Sequence, residues 1–368
     1  MKKILVLVLA LVMALCSFSA LAETVDPASI EDTITSADGT YAVAFVTDVG
    51  QLKDKSFNEG TWNGVKLYAS ENGLTYKYYQ PANGEQATVD DRYDDLKAAA
   101  DAGAQVIVCA GFMQGTALEK AAKECPDVQF IFIDGWGMGL DNVVGVAFKE
   151  EQCGYLAGYA VVMDDYESLG FAGGGGGTNP ACMRYGYGFI QGANDAAAKL
   201  EKNVNLKFTW AYGSSFSASP ELQTLISGWY ETGTEVVCSA GGSIFDSITA
   251  AASANDAAVI GVDVDQSFQS DTVITSALKG ITEGTYQMIG KAYDGTWADL
   301  GGAVSLGINE NAVGLPVDTW SLEGFTVDDY QALVDAMKSG ELVVDAEAAE
   351  GDPNAKGPWT NVTVDYVE

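Results

Sequence analysis

The feature that most constrains this chain is a repeated change of hydrophobic period. Short runs rich in β-branched and aromatic residues alternate with longer stretches whose apolar residues recur every three to four positions. The runs at 41–47, 75–79, 105–109 and 129–133 predict strands, and the stretches at 57–70, 90–102 and 115–124 predict the helices between them. Glu71-Asn72-Gly73 and Asp101-Ala102-Gly103 set glycine where helices commonly stop. Strands separated by helices imply a parallel sheet, because the chain must cross back before it runs in the same direction again.

The alternation restarts after a strand at 142–148. Helices at 150–163, 183–200, 220–232 and 244–254 intersperse strands at 168–173, 205–210, 235–239, 258–262 and 272–276. Further on, 278–297 and 327–339 read as helices and 303–309 as a strand. The fold expected is α/β, with two doubly wound parallel-sheet lobes joined by a multi-strand hinge. The first lobe spans 23–147 and the second 148–272, with a return to the first at 273–302 and to the second at 303–368. The end of the chain, from 347, reads as a surface wrap or tail.

Residues 1–22 have the pattern of a signal peptide. Lys2 and Lys3 precede an apolar run from Ile4 to Cys16, and Ala20-Leu21-Ala22 is a small-x-small cleavage site. The run is too short to span a bilayer, so an exported, extracytoplasmic protein is expected. Cys16 follows Leu15, where lipoprotein processing favours a small residue, and attachment to the cell surface through a lipid is left open.

Composition excludes several functions. The formal net charge of −32 opposes nucleic-acid binding, which needs clustered cations to displace counterions. The chain has no histidine, which removes His-dependent acid–base chemistry, Ser–His and Cys–His dyads and most zinc sites. After the leader come Cys109, Cys125, Cys153, Cys182 and Cys238, an odd number without a C-x-x-C pair. Cys109 and Cys238 fall in apolar strands and read as small buried hydrophobes.

Ligands of doubly wound sheets bind beyond the carboxyl ends of the strands. Those ends carry Asp48, then Asp54 to Asn58, then Gly111-Phe112 and Asp134-Gly135-Trp136. In the second half they carry the glycine run 173–177, Tyr212 to Phe216, Ala240-Gly241-Gly242, Asp263, and Ser276 with Lys279. Carboxylates accept from hydroxyls and ring N–H groups, aromatics stack, and glycine admits a ligand to the backbone. A neutral, hydroxyl-rich ring compound suits that set. Asp and Asn after strands also cap helices and form turns, a reading that fits Asp48 well.

Val46-Thr47-Asp48-Val49-Gly50 followed by Asp54-Lys55-Ser56-Phe57-Asn58 resembles the opening signature of the basic membrane protein family, the substrate-binding components of ABC transporters that include purine nucleoside receptors. The similarity continues through Phe130-Ile131-Phe132-Ile133-Asp134-Gly135, Phe148-Lys149-Glu150-Glu151-Gln152, Gly261-Val262-Asp263 and Thr275-Ser276-Ala277-Leu278-Lys279, over about residues 41–315. The resemblance implies a type I periplasmic binding protein fold, a nucleoside ligand, and a permease and its ATPase as partners. It implies neither cofactor nor catalysis, and a monomer is expected. It further implies that Phe57 stacks on the base beside Asn58 and that Asp134 binds the base edge. Asp263 and Lys279 would hold the ribose, and Gly241 and Gly242 would form a turn against the ligand. Trp210, Tyr212 and Phe216 are the candidates for a second aromatic facing Phe57. The resemblance assigns no role to Trp136 or to the run 173–177.

Other readings meet obstacles in the residues. The glycine run lacks the G-K-[ST] ending of a phosphate loop. Asp263 and Asp265 form no calcium-loop pattern, so no metal is expected. A nucleoside hydrolase would need a clustered acidic metal site, and neither that cluster nor a G-x-S-x-G appears. A sugar or signalling-molecule receptor on the same scaffold stays open, with Arg184 suited to a hydroxyl cluster.

Overall fold

The computed structural model describes residues 25–368, so the signal peptide at 1–22 and Cys16 lie outside the described residues. In the first lobe β1 (Val43–Val46), β2 (Tyr76–Tyr79), β3 (Val106–Ala110), β4 (Gln129–Ile133) and β5 (Val143–Phe148) alternate with α1 (Phe57–Glu71), α2 (Val89–Asp101) and α3 (Gly115–Glu124). The second lobe runs α4 (Glu150–Met163), β6 (Ser168–Gly173), α5 (Pro180–Lys199), β7 (Val204–Thr209), α6 (Pro220–Glu231), β8 (Val236–Ala240), α7 (Ile244–Asn255), β9 (Ala258–Asp263) and β10 (Val273–Lys279). Then come α8 (Ile281–Tyr293), β11 (Ala303–Leu306), β12 (Val313–Gly314), α9 (Val327–Ser339) and β13 (Val362–Val367).

The first sheet has the order β11-β5-β4-β3-β1-β2 and the second β12-β10-β9-β8-β6-β7-β13. Every pairing is parallel except that of β12 with β10. Two doubly wound lobes are therefore present, as the alternation implied.

The crossings differ from the expected boundaries by one element. The return to the first lobe does not begin at 273, because β10 pairs with β9 and stays in the second sheet. The chain crosses after Lys279, and α8 packs on α1. Nor does the final return begin at 303, because β11 pairs with β5 at the edge of the first sheet. The first crossing follows Phe148, the last residue of β5, rather than residue 147. At the other end, the stretch from 347 is more than a wrap. Its β13 extends the second sheet beside β7.

Each strand order reverses at one point, between β1 and β3 in the first sheet and between β6 and β8 in the second. There the connections leave in opposite directions and open a crevice. Close backbone contact fixes the start of the second lobe. In the α4–α5 pair a Cβ on Gly154 would stand 2.3 Å from Tyr185 O, and one on Gly188 2.1 Å from Glu151 O. The helices touch through their backbones, so Glu150, Arg184 and Tyr185 converge at one end. Among the described residues no helix is long and apolar enough to cross a membrane.

Candidate functional site

The two reversal points face each other across a cavity between the lobes, part of it open to solvent. The first lobe contributes Asp48, Asp54, Phe57, Asn58, Gly111 and Asp134 to its walls. The second contributes Cys182, Tyr185, Phe216, Gly241, Asp263 and Lys279, with Gly242 beside Gly241. Eight of the ten residues expected at the site thus meet in one place.

The first-lobe wall is a capped helix. Asp54 accepts from the backbone N–H groups of Ser56 (3.0 Å), Asn58 (2.9 Å) and Glu59 (3.1 Å) at the N-terminus of α1. That cap turns Phe57, the first residue of the helix, toward the cavity. Burial pushes the Asp54 carboxyl up to about 7 against the pull of those donors. Asn58 is buried; its amide nitrogen donates to Asp54 (3.2 Å) and its carbonyl oxygen has no partner.

Asp48 organises its own loop, as the turn reading held, and lines the cavity as well. Its carboxylate accepts from Val49 N–H at 2.6 Å, and burial raises its pKa. Gly111, with φ of 95°, leaves room for it, since a Cβ there would stand 1.9 Å from Asp48 Oδ2. The Gly111→Ala variant is therefore expected to lose about 1–3 kcal/mol from backbone strain alone. Chemical denaturation measures that loss, and an unchanged midpoint would mean that the backbone at residue 111 relaxes out of the left-handed region at no cost.

Two polar clusters flank the cavity. In one, Lys279 Nζ donates to Asp134 Oδ2 at 2.7 Å and lies 2.9 Å from Glu150 Oε1, whose other oxygen is 2.6 Å from Arg184 Nε. Burial opposes the ammonium charge, yet Asp134, Glu150 and Asp263 outweigh it and hold Lys279 above its ordinary pKa. Burial pushes Asp134 up to about 6, with Lys279 opposing and Glu150 reinforcing the rise. For Glu150 burial loses to Lys279 and Arg184, and its pKa is lowered. In the other cluster Asp263 accepts from Tyr185 Oη at 3.1 Å and from the Ser56 hydroxyl of the opposite lobe. Its left-handed φ of 67° turns it back from the end of β9.

Further bonds cross between the lobes. Gln266 Nε2 donates to Lys55 O at 2.9 Å, and Lys55 Nζ to Asp246 Oδ1 at 3.1 Å. The lobes are closed on each other.

Two expected residues lie elsewhere. Trp210 is only 4% exposed; its indole N–H donates to Gly351 O (2.8 Å) and its ring packs on Phe171 and Phe208. It is core, because its ring turns inward directly after β7 ends at Thr209. Tyr212 is 54% exposed and faces outward beside Pro220. Of the three candidate aromatics only Phe216 lines the cavity. The glycine run 173–177 makes this possible. A Cβ on Gly174 would stand 2.5 Å from the Phe216 ring, and one on Gly177 2.8 Å from Trp210.

Trp136 packs edge-on against Phe132, outside the cavity, and Arg184 is held by Glu150. Asp263 and Asp265 diverge, the latter accepting from Thr319 at 2.6 Å. Among the described residues the five cysteines are unpaired, with Cys109 and Cys238 buried as expected. Tyr185, Ser56 and Cys182 were not anticipated. Tyr185 and Cys182 sit on an amphipathic helix whose inward face holds other apolar residues, so nothing local marked them.

Two lobes, three crossings and one cavity between facing strand ends define a solute-binding protein that encloses a small ligand. The family model described as ABC transporter substrate-binding protein PnrA-like (Bmp) matches residues 41–347, and the chain belongs to that family. It is 25% identical to the "ABC transporter nucleoside-binding protein BmpA" of Lactococcus lactis subsp. cremoris, over 76% of this chain and 82% of that protein. It is 29% identical to "Basic membrane protein B" of Borreliella burgdorferi, over 73% of this chain and 78% of that one. A solute-binding protein of an ABC transporter system from Aeropyrum pernix K1 shares the fold, with a TM-score of 0.70, 22% identity, and coverage of 83% of this chain and 94% of that chain. Substrate-binding proteins of this kind work with permease and ATPase components.

Proposed function

We propose that this protein captures a nucleoside, with a purine base, in the interlobe cavity and delivers it from outside the cytoplasmic membrane to the permease and ATPase of an importer. The observation that carries this reading is that Phe57 and Phe216, one from each lobe, both line a cavity flanked by Asp134–Lys279 and by Asp263. A flat ring needs an apolar face on each side, and stacking on aromatics is worth about 1–3 kcal/mol per base. A ribose needs acceptors for its hydroxyls, which carboxylates supply. The name of the Lactococcus relative supports the same ligand class. The reading takes the protein to act as a monomer, without a cofactor and without altering its ligand.

Two aromatic contacts and three charge-assisted hydrogen bonds, less the cost of association, correspond to a Kd of about 1 μM or tighter. Calorimetry on protein stripped of ligand by unfolding and refolding, with adenosine, guanosine, inosine, uridine and cytidine, checks this. Silence from all five would remove the nucleoside assignment and leave the receptor class intact. Release of free base from inosine would replace the receptor reading with a hydrolase.

A further inference from the structure

The segment Phe148-Lys149-Glu150-Glu151-Gln152 lines no part of the cavity, yet it sits where all three crossings meet. Lys149 N–H donates to Leu306 O at 2.9 Å, at the start of the third crossing. Gln152 Oε1 accepts from Ile308 N–H at 2.8 Å in the same crossing. Glu150, in the first turn of α4, lies 2.9 Å from the ammonium of Lys279, the last residue before the second crossing. Glu150 is fully buried, and the backbone contact of α4 with α5 sets Arg184 behind it. Four charges of alternating sign form a row from Arg184 through Glu150 and Lys279 to Asp134, its two middle members buried and its two ends half-buried.

We propose that Glu150 is a positioning residue for ligand binding, holding the Lys279 ammonium at the cavity wall while Arg184 holds Glu150. The contribution to affinity rests on the nucleoside reading, whereas the positioning of Lys279 does not. An ammonium has three N–H donors on a flexible four-carbon stem. Lys279 donates to Asp134 Oδ2, while the Glu150 carboxylate attracts the ammonium from a second direction at 2.9 Å and keeps it at the wall of the cavity that Lys279 lines. Without the anion at Glu150, only the more distant Asp263 opposes the pull of Asp134. The ammonium then settles wholly on that carboxylate, and both groups are withdrawn from the ligand. Because Glu150 follows one crossing and Lys279 precedes another, the pair also ties two hinge strands together in the closed form.

The test compares the parent with Glu150→Gln and Glu150→Asp by calorimetry with adenosine and inosine at matched folded fraction. A 15N NMR spectrum of the Lys279 ammonium at neutral pH in ligand-free protein accompanies it. Glu150→Gln should weaken both nucleosides at least tenfold and by a similar factor, and Glu150→Asp should recover most of the loss. The Lys279 ammonium resonance should move in Glu150→Gln and return toward the parent position in Glu150→Asp, because the ammonium changes place between its two carboxylates. A lowered melting temperature with unchanged Kd and an unmoved Lys279 resonance would overturn the proposal, since packing alone explains that pattern. If the parent binds neither nucleoside, the nucleoside reading fails by itself. The Lys279 resonance then still decides: a move in Glu150→Gln reversed in Glu150→Asp supports the positioning role, and no move overturns it.

Discussion

Replacing Lys279 by Met should lower stability by about 3–5 kcal/mol, because it strands two buried carboxylates. Asp134 and Glu150 both lie within 3 Å of that ammonium, at 2.6 and 2.9 Å. For domains of this size about 2–4 °C per kcal/mol converts that into a melting temperature lower by roughly 6–20 °C. The loss should depend on pH with a definite sign. Asp134 already titrates near 6, above an unfolded carboxyl, so the folded protein binds the extra proton. Its contribution is fully present below the unfolded pKa and is lost as pH rises through the folded one. Removing Lys279 raises Asp134 further and lifts Glu150 from its lowered value, so the gap between parent and variant should widen from pH 5 to pH 8. A gap that stays constant across that range would mean that the carboxylates are hydrated rather than buried. Replacing the three residues together by apolar ones of similar volume should restore much of the stability, since a buried ion pair is weak support for a fold. Such a variant should bind no ligand. That pair of results would separate stability from binding at this cluster.

The strands were legible because buried parallel strands are short apolar runs, and Gln129–Ile133 begins and ends where the pattern implies. What the pattern does not carry is which sheet a strand joins. Val273–Lys279 and Ala303–Leu306 read as strands from their own residues, but their partners depend on β9 and β5, distant in sequence. Val362–Val367 lay in an acidic, Pro- and Gly-bearing stretch, and as an edge strand it needs an apolar face on one side only.

The site divides in the same way. Asp134, Asp263 and Lys279 were visible because each ends an apolar strand with a charge, and a charge there needs a reason. Phe216 was not separable from Trp210 and Tyr212, since three aromatics within seven residues have no period. The backbone decided it: Tyr212 and Phe216 both take left-handed φ values, of 60° and 59°, and the turn they make sends one ring outward and the other inward. Ser56 was read only as part of a motif. Its hydroxyl bonds Asp263 across the cleft, a contact that exists only when the lobes meet.

Asp134 and Asp263 should fail differently when neutralised. Asp263→Ala is expected to weaken every nucleoside by a similar factor, about tenfold to a hundredfold for ~1.5–3 kcal/mol, because it removes an acceptor for a ribose hydroxyl common to all of them. Part of that loss could arise from the Ser56 bond between the lobes, so Ser56→Ala is the control. If Ser56→Ala reproduces the whole effect, Asp263 acts by closing the cleft and not by touching ribose. Asp134→Asn should instead change the ranking of bases. A carboxylate only accepts, whereas an amide also donates. Inosine and guanosine present an N–H at N1, and adenosine presents an acceptor there, so the first two should lose more than the third. Acid should act in the same direction on the parent protein. Asp134 titrates near 6, and once protonated its carboxyl can donate, so the preference for inosine over adenosine should shrink between pH 7 and pH 5. That drift should vanish in Asp134→Asn, which has no proton to gain. Phe57→Ala should weaken purines more than pyrimidines, because the larger ring loses more stacked area. Calorimetry across the five nucleosides at two pH values reads all of these at once. Equal losses for every base in both Asp variants, with no drift in the parent, would mean that neither carboxylate distinguishes base from ribose.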